Sequence, residues 1–572
     1  MKVITNNLDV WTSAQIRKPT VGRGGNGKLA AYGVKKLRKL ILELAVRGKL
    51  VRQDPNDESA TVSLKKIKDK KNKLIENGEI RKQEPLTEIN QEDMPFNCPE
   101  GWVWVKLGEL LEMFNGRAFK STEWGIKGMP IIRIQNLNDP QADFNYFDGD
   151  IDEQHLVADG DLLISWSGTP GTSFGAFIWK RGAAALNQHI NKCWIFHKNI
   201  NLEYLKLAIN SCMDHLISKA QGGVGLKHVT KGTLNNIIFG LPPLAEQQRI
   251  VVKVDELMSL CNQLEQQQAS SIESHQILVE ILLGTLTSAK DSNELAARWQ
   301  SIAAHFDTLF TTENSIDQLK QSILQIAIMG KLVPQDPNEE STNKLLKKIA
   351  EEKSRLLEEG KIKKQKELPG VCENEKPFAL PEEWRWLRLG ETGLGSTGKT
   401  PSTNKSEYYG GEIPFLGPGE ITVAGKILDT DKTLTEAGCE ESTVAEAGDI
   451  LMVCIGGSIG KSAIAKSRAA FNQQINCIRP LLIDAVFLHY VMNAPYFQND
   501  IFKAATGSAT PIINRSKWEE LLVPLPPLNE QRRIVAKVGE LMALCDALKV
   551  RIKDIQTTKV QLADTIIEQS II

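Results

Sequence analysis

The sequence predicts an α+β fold in which two strand-rich α/β domains are joined by two long antiparallel coiled-coil helices, as a pseudo-two-fold tandem repeat. Two internal repeats support this prediction. Residues 241–265 match residues 525–549 at 17 of 25 positions without a gap, and residues 37–59 match residues 319–341 at a constant offset of 282. A chain of 572 residues has room for several domains. The repeats therefore indicate the tandem duplication of one large unit.

The repeats, and the composition of the stretches between them, set the predicted domain boundaries. The stretches are rich in short apolar runs, such as Ile131-Ile-Arg-Ile, separated by Gly, Asn, Ser and Pro. This pattern is typical of strands and turns. The predicted segments are a flexible N-terminal segment (1–34), an N-terminal helical region (35–98), a first strand-rich domain (99–243), a central helical region (244–380), a second strand-rich domain (381–527) and a C-terminal helix (528–572).

Each long helix is predicted to begin directly after a Leu-Pro-Pro-Leu segment, because proline is tolerated in a first helical turn. Apolar residues then recur at alternating steps of four and three, which is the a/d pattern of a coiled coil. In the second copy they are Ile534, Val538, Leu541, Cys545, Leu548, Ile552 and Ile555. In the first copy they are Ile250, Val254, Leu257, Cys261 and Leu264, followed by polar Gln268, Ser271 and His275, and then by Leu278 and Leu282.

Composition narrows the class of protein. The net charge is −1, so a nucleic-acid surface must be local or completed by a partner. The nine cysteines form no Cys-x-x-Cys pair and no cluster at metal spacing, which predicts reduced thiols and no metal site. The first residues lack a hydrophobic signal core, and no apolar run is long enough for a membrane span. We therefore expect a cytoplasmic protein.

Three features of the sequence are similar to those of one known protein family. They are the twin Leu-Pro-Pro-Leu-x-Glu-Gln-x-Arg-Ile segments beginning at Leu241 and Leu525, the tandem-half layout, and Lys399-Thr-Pro-Ser followed by Tyr408-Tyr-Gly-Gly-Glu-Ile-Pro-Phe. From about residue 35 onward the chain resembles the specificity (S) subunit of Type I restriction–modification systems. The resemblance implies that each strand-rich domain is a target recognition domain that reads half of a split double-stranded DNA site.

The same resemblance implies the partners and their cofactors. The paired helices would hold the two recognition domains apart and dock two methyltransferase (M) subunits, and restriction (R) subunits would join that core. S-adenosylmethionine, ATP and Mg are then expected on the partner subunits, with no cofactor, metal or catalytic residue on this chain. Because the two recognition domains differ, the two half-sites should differ as well.

The recognition loops contain side chains that combine hydrogen-bond donors and acceptors or carry positive charge, the types that read base edges. The DNA-binding candidates are Asn115, Arg117, Lys120, Arg133, Gln135 and Asn136 in the first domain, and Lys399, Thr400, Asn404, Lys405 and Arg515 in the second. Apolar residues of the long helices that lie off the a/d pattern are candidates for binding M subunits. They are Val251, Met258, Leu260, Val535, Met542 and Leu544.

Two enzyme classes compete with this interpretation. Residues 393–400 satisfy the Gly-x4-Gly-Lys-Thr pattern of a phosphate-binding loop, which would make the chain an ATPase. However, a proline and polar turn residues follow where that loop requires a helix. A stand-alone DNA methyltransferase would need an Asn/Asp-Pro-Pro-Phe/Tyr motif, whereas both Pro-Pro pairs follow leucine. We therefore expect a non-catalytic recognition subunit.

Overall fold

A computed structural model describes residues 2–17, 29–80, 85–168, 174–212, 227–290, 292–362, 364, 367–507 and 510–571. These residues form two compact units. The first contains the described residues up to Ala269 and those from Thr558 onward, and the second contains those from Ser270 to Thr557. Each unit thus includes the first part of one long helix and the last part of the other.

The N-terminal segment is ordered over its described residues, so the prediction of a flexible segment over 1–34 is wrong for residues 2–17. Helices α1 (Lys2–Thr5) and α2 (Leu8–Ser13) are followed by strand β1 (Gln15–Arg17), which pairs antiparallel with β2 (Leu29–Ala31). Trp11 is fully buried in the core of the first unit. A Cβ added at Gly33 would lie 2.3 Å from the Trp11 carbonyl oxygen, so this close approach requires glycine. The glycine-rich stretch 22–27 lies outside the described residues.

Between the N-terminal segment and the first long helix, the first unit contains two helices and a recognition domain, whose last strand leads into that long helix. The helices are α3 (Tyr32–Val46) and α4 (Ala60–Glu76). The domain contains β3 (Val103–Lys106), α5 (Leu107–Leu110), β4 (Leu111–Asn115), β5 (Met129–Ile132), α6 (Ile134–Asn138), β6 (Asn145–Phe147), β7 (Leu156–Val157), β8 (Leu162–Ser165), β9 (Ser167–Gly168), β10 (Gly175–Ile178), β11 (Ala184–Leu186), β12 (Ile190–Ile195), α7 (Leu202–Ser211), β13 (Lys227–His228), α8 (Lys231–Asn235) and β14 (Ile238–Leu241).

The second unit repeats this plan. Its helices α10 (Ser292–Ala303), α11 (Phe306–Leu309), α12 (Glu313–Ile328) and α13 (Thr342–Glu358) follow the first long helix, α9 (Leu244–Thr287). Its domain contains β15 (Arg385–Arg388), β16 (Gly393–Thr397), β17 (Tyr409–Leu416), β18 (Thr433–Leu434), α14 (Glu436–Glu440), β19 (Thr443–Ala445), β20 (Ile450–Val453), β21 (Ser462–Ile464), β22 (Ala469–Phe471), β23 (Ile475–Pro480), α15 (Ala485–Asn493), α16 (Pro495–Ala504), α17 (Arg515–Glu519) and β24 (Leu522–Leu525), before the second long helix, α18 (Leu528–Ile571).

The two recognition domains have the same sheet topology. Each has an antiparallel four-stranded sheet, in the order β10-β8-β12-β4 in the first and β21-β20-β23-β16 in the second. Each also has a mixed sheet, β6-β5-β11-β7 and β18-β17-β22-β19, with one parallel pair at its centre. The strand that enters each domain pairs with the strand that leaves it, β3 with β14 and β15 with β24. The tandem repeat predicted from sequence is therefore present in the fold.

Both long helices contain 44 residues, roughly 66 Å at 1.5 Å per residue. Ile250 and Cys261, near the start of α9, share a core with Ile567 near the end of α18. In the second unit, the end of α9 shares a core with the start of α18. The two helices are therefore antiparallel, as predicted. In both units the start of the long helix also packs with a shorter helix, α3 or α12, so the assembly is more than a two-stranded coil.

The a/d pattern holds over the first half of each long helix and then shifts by one residue. Leu278 and Ile555, which were predicted to lie in the apolar seam, are 47% and 55% exposed, whereas Val279 and Ala563 are buried. The shift falls at equivalent positions of the two helices. An α-helix has 3.6 residues per turn, so a strict heptad drifts around it and one extra step restores contact with the neighbouring helices.

Two of the three polar residues of the first seam, Gln268 and His275, contact backbone carbonyl groups. Gln268 donates a hydrogen bond to the carbonyl of Thr12 in the first unit. In the second unit a ring nitrogen of His275 lies 3.2 Å from the carbonyl oxygen of Thr308. These contacts explain why the seam becomes polar there, because each polar side chain meets the segment that precedes α3 or α12.

Candidate nucleic-acid interface

The repeated Glu-Gln-x-Arg segment attaches each long helix to the recognition domain before it. The Trp102 indole donates to the Glu246 carboxylate at 3.0 Å, and Trp384 donates to Glu530 at the same distance. All four residues are at least nine-tenths buried. Burial raises the pKa of both carboxyls. This contact, which we call the Trp–Glu lock, joins the start of each long helix to a tryptophan, and the two tryptophans keep the offset of 282 found for the repeat at 37–59.

The next residues of the segment complete the attachment. The amides of Gln247 and Gln531 each donate to a proline carbonyl at 2.9 Å, and their oxygens accept from the backbone of Asn201 and Asp484, the residues before α7 and α15. The arginines two residues further on, 249 and 533, form ion pairs with acidic residues 57 and 339, which directly follow a Gln-Asp-Pro-Asn segment in each copy of the repeat at 37–59. The helix start is thus fixed at several points, which orients each recognition domain on its helix.

In the first domain, the predicted DNA-binding residue Arg117 follows strand β4 at a tightly packed turn. The Arg117 amide donates to the Leu186 carbonyl at 2.8 Å. A Cβ at Gly116 would lie 2.2 Å from the same carbonyl oxygen, so only glycine fits there. The Arg117 guanidinium lies 4.4 Å from the Phe147 ring centroid and forms a 2.6 Å ion pair with Glu123. The cation is therefore held in a fixed position at the edge of the sheet.

The second domain places a lysine at the equivalent position. The Lys399 amide donates to the Phe471 carbonyl at 3.1 Å. A Cβ at Gly398 would lie 1.9 Å from the Asn472 carbonyl oxygen, which again leaves room only for glycine. The Lys399 ammonium is exposed and lies 3.2 Å from the Glu441 carboxylate. The two domains share the backbone geometry and the positive charge but take the paired carboxylate from different loops.

The other first-domain candidates lie at the end of β4, in the segment that follows it, and at the start of α6. Asn115, Lys120 and Gln135 are exposed. Arg133 is half-buried, and its guanidinium lies 4.8 Å from the centroid of the Trp124 ring, which is itself 39% exposed. An arginine stacked on an exposed aromatic ring combines a positive charge with a flat apolar surface. This combination suits a base or a sugar–phosphate edge.

Asn136 corrects the sequence prediction. Its side chain is 3% exposed. Its oxygen accepts from the Arg133 amide at 3.0 Å, and its nitrogen donates to the carbonyls of Ala142 and Asp143 at 3.2 and 3.0 Å. Buried amides are normally saturated in this way, because an unmet hydrogen bond is costly. Asn136 therefore shapes the loop and is not available to DNA.

The second-domain candidates are exposed and follow β16. The Thr400 hydroxyl donates to Gln473 at 2.6 Å. The Lys405 ammonium donates to the Tyr408 hydroxyl at 2.8 Å and lies 4.9 Å from the centroid of its ring. Asn404 lies between these two contacts in an exposed turn. The polar side chains of this loop differ in type and spacing from those of the first domain.

Lys231, the first-domain residue that is equivalent to Arg515, was not predicted from the sequence. Arg515 was predicted, and it donates to the Gly395 carbonyl at 3.5 Å and pairs with Glu519 at 3.3 Å. Lys231 lies at the same place in the first domain and donates to the Met113 carbonyl at 2.7 Å. Extending the ungapped offset of 284 back to residue 230 aligns the two cations, so the signal was present in the sequence.

The phosphate-loop interpretation is wrong for residues 393–400. Residues Gly393–Thr397 form strand β16, which pairs along its whole length with β23. No α-helix follows Thr400 before the next strand. A phosphate-binding loop needs a helix N-terminus directly after its threonine. The ATPase alternative therefore has no structural basis.

The predicted M-binding residues divide into two groups. Val251, Met258, Val535 and Met542 are half-buried and pack against the cores of their own units. Leu260 and Leu544 are 40% and 56% exposed. The two leucines are therefore the members of the set that remain accessible to another chain.

The described part of the chain contains neither a cluster of metal-binding side chains nor a helix suited to cross a membrane. No three His, Cys, Asp or Glu side chains there lie close enough together to hold a metal ion. Likewise, none of its helices has the length and apolar character needed to cross a membrane. The candidate sites described above are therefore two polar loop surfaces, one on each copy of the duplicated domain.

A duplicated frame with two different polar surfaces defines a protein with two separate recognition domains. A family model described as the Type I restriction modification DNA specificity domain matches residues 99–274 and again residues 381–556. The chain therefore belongs to the family of Type I restriction–modification specificity subunits, as the sequence resemblance indicated.

Two relatives from Escherichia coli support the same family. The chain is 37% identical over 603 residues to the Type I restriction enzyme EcoAI specificity subunit of Escherichia coli, covering 100% of this chain and 99% of that protein. It is equally identical over 596 residues to the EcoEI specificity subunit of Escherichia coli, with the same coverage. The crystal structure of the HsdS subunit from Thermoanaerobacter tengcongensis has a TM-score of 0.40 at 18% identity, covering 83% of this chain and 98% of that one.

Proposed function

We propose that this chain is the DNA-reading subunit of a Type I restriction–modification complex and that it recognises an asymmetric, bipartite site in double-stranded DNA. The observation that supports this most directly is the contrast within the chain. The two recognition domains share one sheet topology and one cation position, but the loops around that cation differ. Direct readout depends on which donors and acceptors reach the base edges. Two different loop surfaces therefore read two different half-sites.

We further propose that the chain has no catalytic role of its own and assembles two methyltransferase subunits and the restriction subunits. S-adenosylmethionine, ATP and Mg then belong to those partners. The exposed leucines of the two long helices occur once per repeat, which supports two equivalent docking sites. Because the substrate of such an assembly is DNA, we place it in the cytoplasm.

The experiment is a domain exchange in a host that also expresses the methyltransferase partner. Residues 102–240 are replaced with the corresponding segment of another family member, and the methylated motif is determined by sequencing. We expect a two-part motif with the original chain and a change in only one half after the exchange. A motif without a gap, or a change in both halves, would refute independent reading by the two domains.

A further inference from the structure

Both recognition domains contain the same five-residue turn beside the shared cation. This turn, which we call the Asn-Gln turn, comprises residues 187–191 (Asn-Gln-His-Ile-Asn) and residues 472–476 (Asn-Gln-Gln-Ile-Asn). In each copy the amide of the fourth residue donates to the carbonyl of the first at 3.1 Å. The side-chain oxygen of the first residue accepts from the amide of the third, at 3.4 and 3.0 Å. The first asparagine is thus required by the turn itself.

Folding also accounts for the last two residues of the turn. Ile190 and Ile475 are fully buried at the start of the central strands β12 and β23. Asn191 and Asn476 are 1% and 2% exposed within the same sheets. In the second domain the asparagine oxygen accepts from the Thr397 hydroxyl at 2.9 Å, whereas the buried oxygen of Asn191 has no hydrogen-bond partner among the described residues. The third residue differs between the copies, so only the glutamine at the second position is shared without an evident structural role.

The two glutamines make little use of their amides within the chain. Gln473 is exposed, and its oxygen accepts from the equally exposed Thr400 hydroxyl. Its NH₂ group has no partner among the described residues. Gln188 is half-buried, and within the described part of the chain its buried side-chain oxygen accepts no hydrogen bond. Neither amide oxygen would therefore give up more than one hydrogen bond on contacting a ligand.

The position of the glutamines matches a nucleic-acid ligand. In each domain, the backbone of the shared cation donates to the residue just before the turn, so glutamine and cation lie at the same edge of the domain. A glutamine amide presents one donor and one acceptor, which fit N7 and the N6 amino group of adenine in the major groove. The neighbouring cation, Arg117 or Lys399, suits the adjacent phosphate.

We propose that Gln188 and Gln473 each read one adenine, at the equivalent position of the two half-sites, while the divergent loops read the bases that differ. This inference rests on the proposed DNA-recognition function and adds residues to it. A good bidentate pair discriminates against the wrong base by about 5- to 150-fold. Because the turn is shared and the loops are not, the adenine should be the base that the two half-sites have in common at this position.

The test is a selection from duplexes randomised in both half-sites, using the full chain in complex with its methyltransferase partner. The variants are Gln188→Ala and Gln473→Ala, and each serves as the control for the other. We expect each variant to lose the preference for adenine at one position of one half-site, by about 5-fold or more, and to leave the other half-site unchanged. A third variant, Gln473→Glu, should shift that position toward cytosine, because a carboxylate accepts from the cytosine amino group.

The outcomes separate this inference from the proposed function. If the original complex enriches no two-part motif, the proposed function fails. If it enriches such a motif and both alanine variants retain the full adenine preference, the inference about the glutamines fails. An equal loss of affinity for every sequence would assign the glutamines to the DNA backbone and would also overturn it. Circular dichroism of each variant checks that the turn still folds, and a loss of motif only in Gln473→Ala would overturn the claim of a shared role.

Discussion

Replacing Trp384 with phenylalanine tests the Trp–Glu lock that joins each long helix to its recognition domain. The indole nitrogen donates to the Glu530 carboxylate at 3.0 Å, and the side chain is 2% exposed. Phenylalanine removes this donor and leaves a small cavity. A hydrogen bond to a charged group contributes about 1.5–3 kcal/mol, and a cavity of methyl size costs about 1 kcal/mol. Gln335 still donates to the carboxylate at 3.1 Å, so one bond is lost.

The expected cost of Trp384→Phe is therefore about 2.5–4 kcal/mol. Because a chain with two units need not unfold in one step, we would measure it locally, by hydrogen–deuterium exchange of peptides spanning 522–540. Trp386→Phe is the matched control, since its indole is half-buried and donates only to the Phe378 carbonyl at 3.3 Å. That neutral bond contributes about 0.5–1.5 kcal/mol. Equal losses for the two variants would refute the lock.

Three further predictions concern the long helices. Because burial raises the pKa of Glu246 and Glu530 above the ordinary value of 4.5, the folded chain retains protons that the unfolded chain releases. Stability should thus fall as pH rises from 4.5 through the raised pKa, and Glu→Gln at both positions should reduce that fall in urea titrations. Leu260→Asp with Leu544→Asp should weaken binding of two methyltransferase subunits, with about 1.5–3 kcal/mol lost at each position from apolar burial alone. Light scattering measures the mass of the complex, and circular dichroism checks that the helices remain. Inserting four residues after Leu264 adds about 6 Å, so the half-sites should separate by one to two base pairs at about 3.4 Å each. An unchanged spacing in the methylated motif would contradict a rigid spacer.

The sequence predicted the parts of the molecule that the duplication repeats. Two ungapped matches predicted the paired long helices and the tandem repeat of the domains, because a duplicated scaffold must satisfy the same packing twice. Hydrophobic spacing also identified the buried Ile250 and Ile534. It could not place the shift in the second half of each helix. In the first long helix, Gln268 and His275 before the shift contact neighbouring segments, and heptad spacing carries no information about such contacts.

The candidate site was less predictable, because loop residues acquire their roles only from tertiary contacts. Asn136 and Gln135 are neighbours of similar chemistry, but one is buried by its hydrogen bonds and the other is exposed. Nothing in their local sequence separates them. Trp11 shows the opposite error. A glycine-rich stretch suggested a loose N-terminus, although Ile4, Val10 and Trp11 of the preceding helices are buried in the core.

The repeated residues also explain how two recognition surfaces can diverge within one rigid frame. The Trp–Glu lock, the glutamine that follows it and the arginine two residues later use side chains from the helix start and from both sequence repeats, and none comes from a recognition loop. The orientation of each domain on its helix is therefore independent of the loops that face the DNA. A change in residues 117–128 or 399–408 can alter the donors offered to a half-site without altering these attachments. The loops can therefore diverge while the helix starts stay alike, because the residues that attach the domain and the residues that face the DNA are different.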